Sequence, residues 1–473
     1  MLGLFGTLDL AKRSLATQQQ GLEVAGHNLA NASNPAYARQ RIDVQTSQDL
    51  QTTIGPQGTG ADVVGITQLR SALLDLQIQG ESSVSGFLEA RQQALQDAQA
   101  GLGQEVSTQT SSSTSTTTSN NLTGLAAGLS DLFNAFQSLS TDPTSLAERQ
   151  AVLMKAQSLT QQLNQTSQQM DNLRTSLSNS VESDTASINT LTSEIAKLND
   201  QIINTEMNGT SAANDLRDTR QSDLESLAKL VKIDTANQSN GAVNVSIGGV
   251  LMVSGKSVLD HLETYDAGGG QILVRSQNTG QAITPTSGDL AGNIDARDGA
   301  VATLQTNLDA LAAQLVLEVN TVHATGYNLG GTNGANFFGG NKAGNITVNA
   351  ALLNDPSLIQ ASSTSSAVGD NGAALALAQL ANKSCAGLGN QTFSENYDQT
   401  VAQLGQDLSS TNGQVTNQQL VQAALSQQRD SVSGVSIDEE MTDLMKYQRA
   451  YEASARLISI VDSLLDTTIN MKR

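Results

Sequence analysis

A seven-residue spacing of leucines near the start of the chain most constrains its fold. The leucines of this first heptad position are Leu8, Leu15, Leu22 and Leu29. The second heptad position carries mostly small residues, which permit two helices to approach closely. Such a narrow seam predicts a helix that packs along its length against another helix, as in a coiled coil. An ordinary amphipathic helix folded onto its own domain is the alternative that this segment leaves open.

The same spacing returns at the other end of the chain. Large side chains recur every seven residues at Ile437, Leu444, Tyr451, Ile458 and Leu465. Ser436 and Glu439 have the spacing of a capping box, which marks the start of this helix. Residues 1–41 hold four basic and two acidic residues, whereas residues 437–473 hold five basic and seven acidic ones. We therefore predict that the two seams pair with each other, with neighbouring subunits, or with both.

Between the two ends the pattern is helical, then mixed, then helical again. Asp142-Pro143 is followed by helical spacing over about 60 residues, a helix of roughly 90 Å. The Ser/Thr-rich tract at 107–120 is predicted to be a mobile loop. Residues 232–290 alternate with period two, and a Gly248-Gly249 turn predicts a hairpin. Helical spacing resumes at Leu304.

These patterns predict a mainly α protein with a small β insertion. The expected parts are paired terminal coiled-coil helices, a rod-like domain of long helices, and a β-rich domain. The expected boundaries are 1–68 with 433–473 for the terminal domain, 69–231 with 287–432 for the long-helix bundle, and 232–286 for the β-rich insertion.

No segment of the sequence forms a convincing active site. The stretch GGVLMVSGKS at 248–257 departs from a phosphate-binding loop because Val250 stands where a glycine is needed. His27, His261 and His323 are scattered, and the single cysteine, Cys385, excludes an intrachain disulfide. A net charge of −20 disfavours binding to nucleic acid or to anionic membranes. We predict no enzyme activity, no cofactor and no metal.

The most specific sequence lies where the first helix ends. Pro35 disfavours helical geometry at Asn34 and so explains the end of the helix. The stretch HNLANASNPAYARQR at 27–41 resembles the N-terminal signature of bacterial flagellar axial proteins. The stretch SGVSIDEEMTDLMKYQRAYEASARLISIVDSLLDTTIN at 433–470 is similar to the C-terminal signature of the hook-associated branch of that family. Several segments between them, such as SGDLAGNIDARD at 287–298, also resemble the family.

This resemblance implies a structural subunit that joins the flagellar hook to the filament. It implies self-assembly into a ring through the terminal helices, with hook protein below, the second junction protein above, and an export chaperone on the C-terminal helix. It also implies an outer position for the β-rich domain, and an extracellular location reached by type III export without a cleaved signal. The turn of Asn34, Pro35, Tyr37 and Arg39 would direct the chain outward, with Tyr37 and Arg39 placed to touch a neighbouring subunit.

Two alternatives remain. Another axial component, such as a hook or filament subunit, would share the helical ends. A flagellum-associated cell-wall hydrolase would need a catalytic Glu or Cys, and no segment supplies a recognisable one.

Overall fold

The computed structural model describes residues 3–52, 55–103, 124–207 and 212–471, and this part of the chain is mainly helical. The Ser/Thr-rich tract at 107–120 lies outside the described residues. The α-helices of the described part are α1 (Leu4–Ala30), α2 (Ala72–Gly101), α3 (Leu125–Thr141), α4 (Leu146–Glu206), α5 (Asn214–Leu230), α6 (Asp289–Asp295), α7 (Ala302–His323), α8 (Ala350–Asn354), α9 (Gly372–Gln379), α10 (Phe393–Ser433) and α11 (Ile437–Asn470).

The longest element, α4, agrees with the helix predicted after Asp142-Pro143. It runs for 61 residues and therefore extends over about 90 Å. The Ser145 side chain accepts a hydrogen bond from the backbone N–H of Glu148, which caps the first turn. Helix α10 is the next longest at 41 residues, and Thr392 and Glu395 form a complete capping box at its start.

Short strands form five small antiparallel sheets in the described part of the chain. They are β1 (Gln40–Thr46), β2 (Leu50–Thr52), β3 (Gly55–Gln57), β4 (Ala61–Gln68), β5 (Ile233–Asn237), β6 (Val243–Ile247), β7 (Val250–Ser254), β8 (Ser257–Val258), β9 (Leu262–Asp266), β10 (Ile272–Ser276), β11 (Ala282–Ile283), β12 (Phe338–Gly339) and β13 (Thr347–Val348). The predicted hairpin is present as β6 and β7. Gly248 and Gly249 form its turn with φ of +56° and +82°, values that favour glycine.

The strands β1 to β4 were not predicted. β1 pairs antiparallel with β4 directly after the first helix, with an irregularity between Asp43 and Val44. This pair lies against α1, because the Thr17 hydroxyl donates to the Ala61 carbonyl at 3.0 Å and Arg13 pairs with Asp62 at 2.9 Å. Residues 1–68 therefore contain a β-ribbon as well as a helix.

Two hydrophobic cores share α4. The first half of α4 contributes Leu153 and Leu163 to a core built with α2, α3, α7, α9 and α10. The second half contributes Val181 and Ile188 to a core built with α5 and the strands between residues 233 and 283. One continuous helix thus joins both cores. The prediction of a mainly α fold with long helices and a small β insertion is confirmed.

Candidate assembly interface

The two terminal helices pair with each other in antiparallel orientation. Ser14 Oγ lies 2.9 Å from Ser454 Oγ, and Asn28 Nδ2 donates to Glu440 Oε2 at 3.0 Å. Position 21 of α1, midway between these two contacts, lies against Tyr447 of α11. The three contacts step by seven residues along both helices in opposite directions. The predicted pairing of the terminal helices is therefore confirmed.

Small residues bring the two helices close together. A Cβ atom at Gly21 would lie 2.5 Å from Cε1 of the Tyr447 ring, closer than carbon atoms approach without rearrangement. Ala11 and Ala25, on the same side of α1, are buried. Close approach of the backbones thus depends on residues without large side chains at the contact.

The residues predicted from heptad spacing lie beside these contacts. All four leucines of α1 and four of the five large residues of α11 are half-buried: Leu8, Leu15, Leu22, Leu29, Leu444, Tyr451, Ile458 and Leu465. The fifth, Ile437, is 55% exposed. The buried positions of α11 are instead Glu440, Ser454 and Val461. Part of each predicted apolar surface therefore faces solvent in the single chain.

Helix α11 buries little of its surface within this chain. Three of its 34 residues are buried, whereas α4 buries 20 of 61. Large apolar side chains are exposed along α11 and at its end: Ile437, Met441, Met445, Ile460, Leu464, Ile469 and Met471. We call this set the α11 apolar surface. Exposed apolar side chains in this number along one helix make it a candidate interaction site.

The predicted turn after α1 is present and is closed by two hydrogen bonds within residues 34–37. The Asn34 side chain accepts a hydrogen bond from the Ala36 N–H at 3.1 Å, and the Asn34 carbonyl accepts from the Tyr37 N–H at 3.1 Å. Pro35 is exposed at the tip of this turn. An Asn side chain that accepts from the residue two positions later is a common way to stabilise such a turn.

Tyr37 turns back onto the end of α1. Its hydroxyl donates to Asn28 Oδ1 at 2.7 Å and lies 3.0 Å from Nδ1 of His27. The same Asn28 side chain also bonds the backbone of Gln40 through both its oxygen and its nitrogen. Burial raises the pKa of Tyr37 above its ordinary value, so this phenol is a neutral donor. Asn28 therefore links α1, the turn and α11.

Arg39 faces a group of carboxylates at the start of α11. Its guanidinium lies 2.6 Å from Glu439, 2.7 Å from Glu440 and 3.7 Å from Asp443. Burial lowers the pKa of Arg39, but Glu440 and Glu439 outweigh burial and raise it overall. The Arg39 backbone N–H also donates to the Ser433 carbonyl at 2.8 Å. The turn is thereby fixed to the junction between α10 and α11.

Tyr37 and Arg39 thus have their partners within the chain. Within the single chain these residues hold the terminal helix pair in place. Contact of Tyr37 and Arg39 with a neighbouring subunit stays a prediction. The sequence alone could not reveal Asn28 and Glu440 as their partners, since those contacts depend on the register of the two helices.

The turn is also tied to the body of the protein through α5. The Ala38 N–H donates to Asp218 Oδ2 at 3.1 Å, and Arg70 Nη1 lies 2.8 Å from Asp218 Oδ1. Burial raises the pKa of Asp218 to about 6, although the Ala38 N–H and Arg70 act to lower it. Gln40 adds a second bond to this helix by donating to Asp215 at 2.9 Å. Helix α5 therefore anchors the terminal pair.

Two of the residues considered above for catalysis or metal binding, His323 and Cys385, lie inside the protein. His323 is fully buried between the Ala335 carbonyl and the Gln360 N–H, and Cys385 is buried. Among the described residues, no three His, Cys, Asp or Glu side chains are grouped so as to hold a metal ion. No helix in the described ranges is both long enough and apolar enough to cross a bilayer.

Comparisons with known proteins agree with this architecture. Residues 111–338 match the family model described as the flagellar hook-associated protein FlgK helical domain. Residues 426–471 match the model described as the flagellar basal body rod FlgEFG protein C-terminal region. The helical middle of the chain and its C-terminal end are thus both similar to proteins of the bacterial flagellum.

The comparisons with whole proteins are more specific. Flagellar hook-associated protein 1 of Bacillus subtilis is 27% identical over 99% of both chains. Its namesake in Salmonella typhimurium is 23% identical over 98% of this chain and 99% of its own. The solved structure of the flagellar hook junction protein FlgK from Burkholderia pseudomallei matches 76% of this chain and 100% of its own, with a TM-score of 0.65 and 16% identity. Over nearly its whole length, the chain is therefore similar to proteins named flagellar hook-associated protein 1.

Proposed function

We propose that this protein is a structural subunit of the hook–filament junction and that it self-assembles through its terminal helices. The observation that carries this proposal is the α11 apolar surface. A helix that buries three of 34 residues in its own chain, while it exposes several Met, Ile and Leu side chains, needs further partners to bury that surface.

The α11 apolar surface supplies a driving force for assembly. Its side chains are between 46% and 79% exposed. Burying the exposed part of each one would contribute about 1 kcal/mol, so the set as a whole could contribute several kcal/mol. The half-buried leucines of α1 would enlarge the same interface. A ring of identical subunits repeats this contact, and the body of each subunit stays folded during assembly.

Each domain of the chain has its own role in this proposal. We propose that residues 1–68 and 433–473 form the assembly domain, that the long helices at 69–231 and 287–432 form a stiff body, and that the β-rich insertion at 232–286 projects outward. Because Arg39 and Ala38 tie the turn to α10, α11 and α5, the orientation of the body is coupled to that of the helix pair. A load on the terminal domain would pass directly into the body.

The partners that we propose are other copies of this chain in a ring, hook protein on one side and the second junction protein on the other. The protein would reach this place by type III export without a cleaved signal. A cytoplasmic chaperone would cover the apolar face of α11 before export, since an exposed surface of this kind favours premature association.

Deletion of the gene tests this proposal. We expect electron microscopy to show hooks of normal length without filaments, and we expect flagellin monomers to accumulate in the medium. Absence of hooks would show that the protein is needed at an earlier stage of flagellar assembly. Intact filaments would show that the junction forms without it. Complementation with the intact gene should restore filaments and controls for effects on neighbouring genes.

A further inference from the structure

A second feature lies where α5 meets the start of α2 and strand β5. Here a pocket of about 390 Å³ is lined by three arginines, Arg70, Arg217 and Arg220, together with Asp75 and neutral polar residues such as Asn237 at its rim. The volume exceeds what a phosphate ion or a single carboxylate side chain needs. The pocket is separate from the α11 apolar surface, and nothing in the proposed assembly uses it.

The three arginines are not equally paired. Arg217 makes a two-point contact with Glu206, with N···O distances of 2.9 and 2.7 Å. Arg70 pairs with Asp75 at 3.0 Å and with Asp218 at 2.8 Å. These two guanidinium groups therefore already have carboxylate partners.

Arg220 differs because its partners are neutral. It is 6% exposed, and its Nη1 donates to Asn199 Oδ1 at 2.7 Å and to the Gly241 carbonyl at 2.8 Å. Within the part of the chain that the structure describes, its Nε and Nη2 make no hydrogen bond. Burial, and next the nearby Arg217, lowers the pKa of Arg220 to about 10, although Glu206 acts to raise it. These two donors are not among the buried unpaired atoms, so they are accessible from the pocket and can pair with an anion that enters it.

We propose that this pocket binds an oxyanion through the free Nε and Nη2 edge of Arg220. That edge of a guanidinium presents two parallel N–H donors, which match the two oxygens of a carboxylate or of a phosphate. Arg217 and Arg70 also line the pocket but are paired with carboxylates, so Arg220 supplies the free donors. The carboxylate of Asp75 is held by Arg70 and leaves the Arg220 edge open.

Isothermal titration calorimetry on the full-length chain tests this site. Sodium phosphate and sodium acetate are titrated separately, with sodium chloride at matched ionic strength as the blank. We expect one saturable site for at least one of these anions. Arg220→Gln should weaken binding by about tenfold or more, because the two charge-assisted bonds are lost. Arg275→Gln, which removes an arginine from the separate strand β10, should leave the affinity unchanged.

A second variant keeps the test valid if Arg220→Gln disturbs folding. Asn237 is exposed at the rim, so Asn237→Asp adds a negative charge with little effect on the fold. It should weaken anion binding several-fold by repulsion, whereas Asn237→Ala should not.

Binding of phosphate would identify a free oxyanion as the ligand, and binding of acetate alone would identify a carboxylate side chain. Absence of binding by both anions, or equal binding by wild type and Arg220→Gln, would overturn the proposal. Neither result would bear on assembly through α11.

Discussion

Asn28 donates a hydrogen bond to the buried carboxylate of Glu440, which lies 412 residues later in the chain. Glu440 is 2% exposed, and its other oxygen lies 2.7 Å from Nε of Arg39. One side chain from the start of α11 thus joins the end of α1 and the signature turn. The register of the terminal helix pair depends on this contact.

Glu440→Ala should therefore loosen the terminal helices without unfolding the body. Removing the carboxylate takes one buried partner from each of Asn28 and Arg39, which costs about 2–4 kcal/mol. Hydrogen exchange should show faster exchange in α1 and α11 and unchanged exchange in α4. Glu452→Ala, at an exposed position of α11, is the matched control and should leave exchange unchanged. Equal protection in both variants would show that the contact does not hold the pair together.

Gly21→Ala should weaken the helix pair, although alanine normally favours a helix. The added methyl group would meet the Tyr447 ring at 2.5 Å, and the resulting overpacking costs about 1–3 kcal/mol. Gly26→Ala is the control in the same helix, because a Cβ there has no neighbour within 4 Å. That variant should stabilise α1 by up to about 1 kcal/mol. We expect Gly21→Ala to lower the thermal stability of the terminal helix pair and Gly26→Ala to raise it. Changes of the same sign in both variants would refute the close contact of α1 with α11 at Gly21.

His323 should make the body less stable in acid. Its Nε2 accepts from the Gln360 N–H, so Nδ1 carries the proton that is donated to the Ala335 carbonyl. Burial lowers the pKa of His323 to about 4, so the folded state excludes the proton that the unfolded chain binds below its ordinary pKa of about 6.5. The contribution of His323 to the free energy of unfolding is fully present above pH 6.5 and falls by about 3 kcal/mol towards pH 4.

Denaturant unfolding at several pH values measures this effect. We expect His323→Gln to be less stable than wild type at neutral pH and to show a smaller loss of stability between pH 6.5 and pH 4. An unchanged pH slope in the variant would show that His323 is not the responsible group.

Asp218 should act in the opposite direction. Burial raises its pKa to about 6, so the folded state binds a proton more readily than the unfolded chain does. The stability from this group is complete below about pH 4 and is lost as the pH rises through 6, with a difference of about 3 kcal/mol. Asp218→Asn should remove this dependence on pH. Carboxyl chemical shifts from NMR would give the pKa directly, and a value near 4 would contradict the assignment.

The long helices and the β6–β7 hairpin could be predicted because their signals are local. Pro143 and the repeating apolar positions fix the start and length of α4, and two glycines fix the hairpin turn. The strands β1 and β4 were missed although Ile42 and Val44 alternate, because they follow directly after a strong helical pattern. Local periodicity predicts an element but does not exclude a second one beside it.

The contacts of the terminal pair were less predictable. Leucine spacing correctly indicated that α1 packs along its length, but the close contacts use Ser14, Gly21 and Asn28, one position earlier than three of the leucines. Small and polar residues carry little periodic signal. The link from Ala38 to Asp218 spans 180 residues, so it depends on how the body folds and not on the sequence around the turn.

The central claim is that the α11 apolar surface holds the subunit in the flagellar axis. Complementation of the gene deletion with a quadruple serine variant of Met441, Met445, Ile460 and Leu464 tests it most directly. A control variant carries serine at Leu146, Met154 and Leu317, which are exposed apolar residues of α4 and α7. Both proteins are first checked for unchanged helical content and for equal export.

Electron microscopy then counts the hooks that bear filaments. We predict that the control restores filaments to the wild-type fraction, and that the α11 variant leaves most hooks without filaments and releases flagellin into the medium. Filaments at the wild-type fraction in the α11 variant would contradict the account, because assembly would then not depend on this surface.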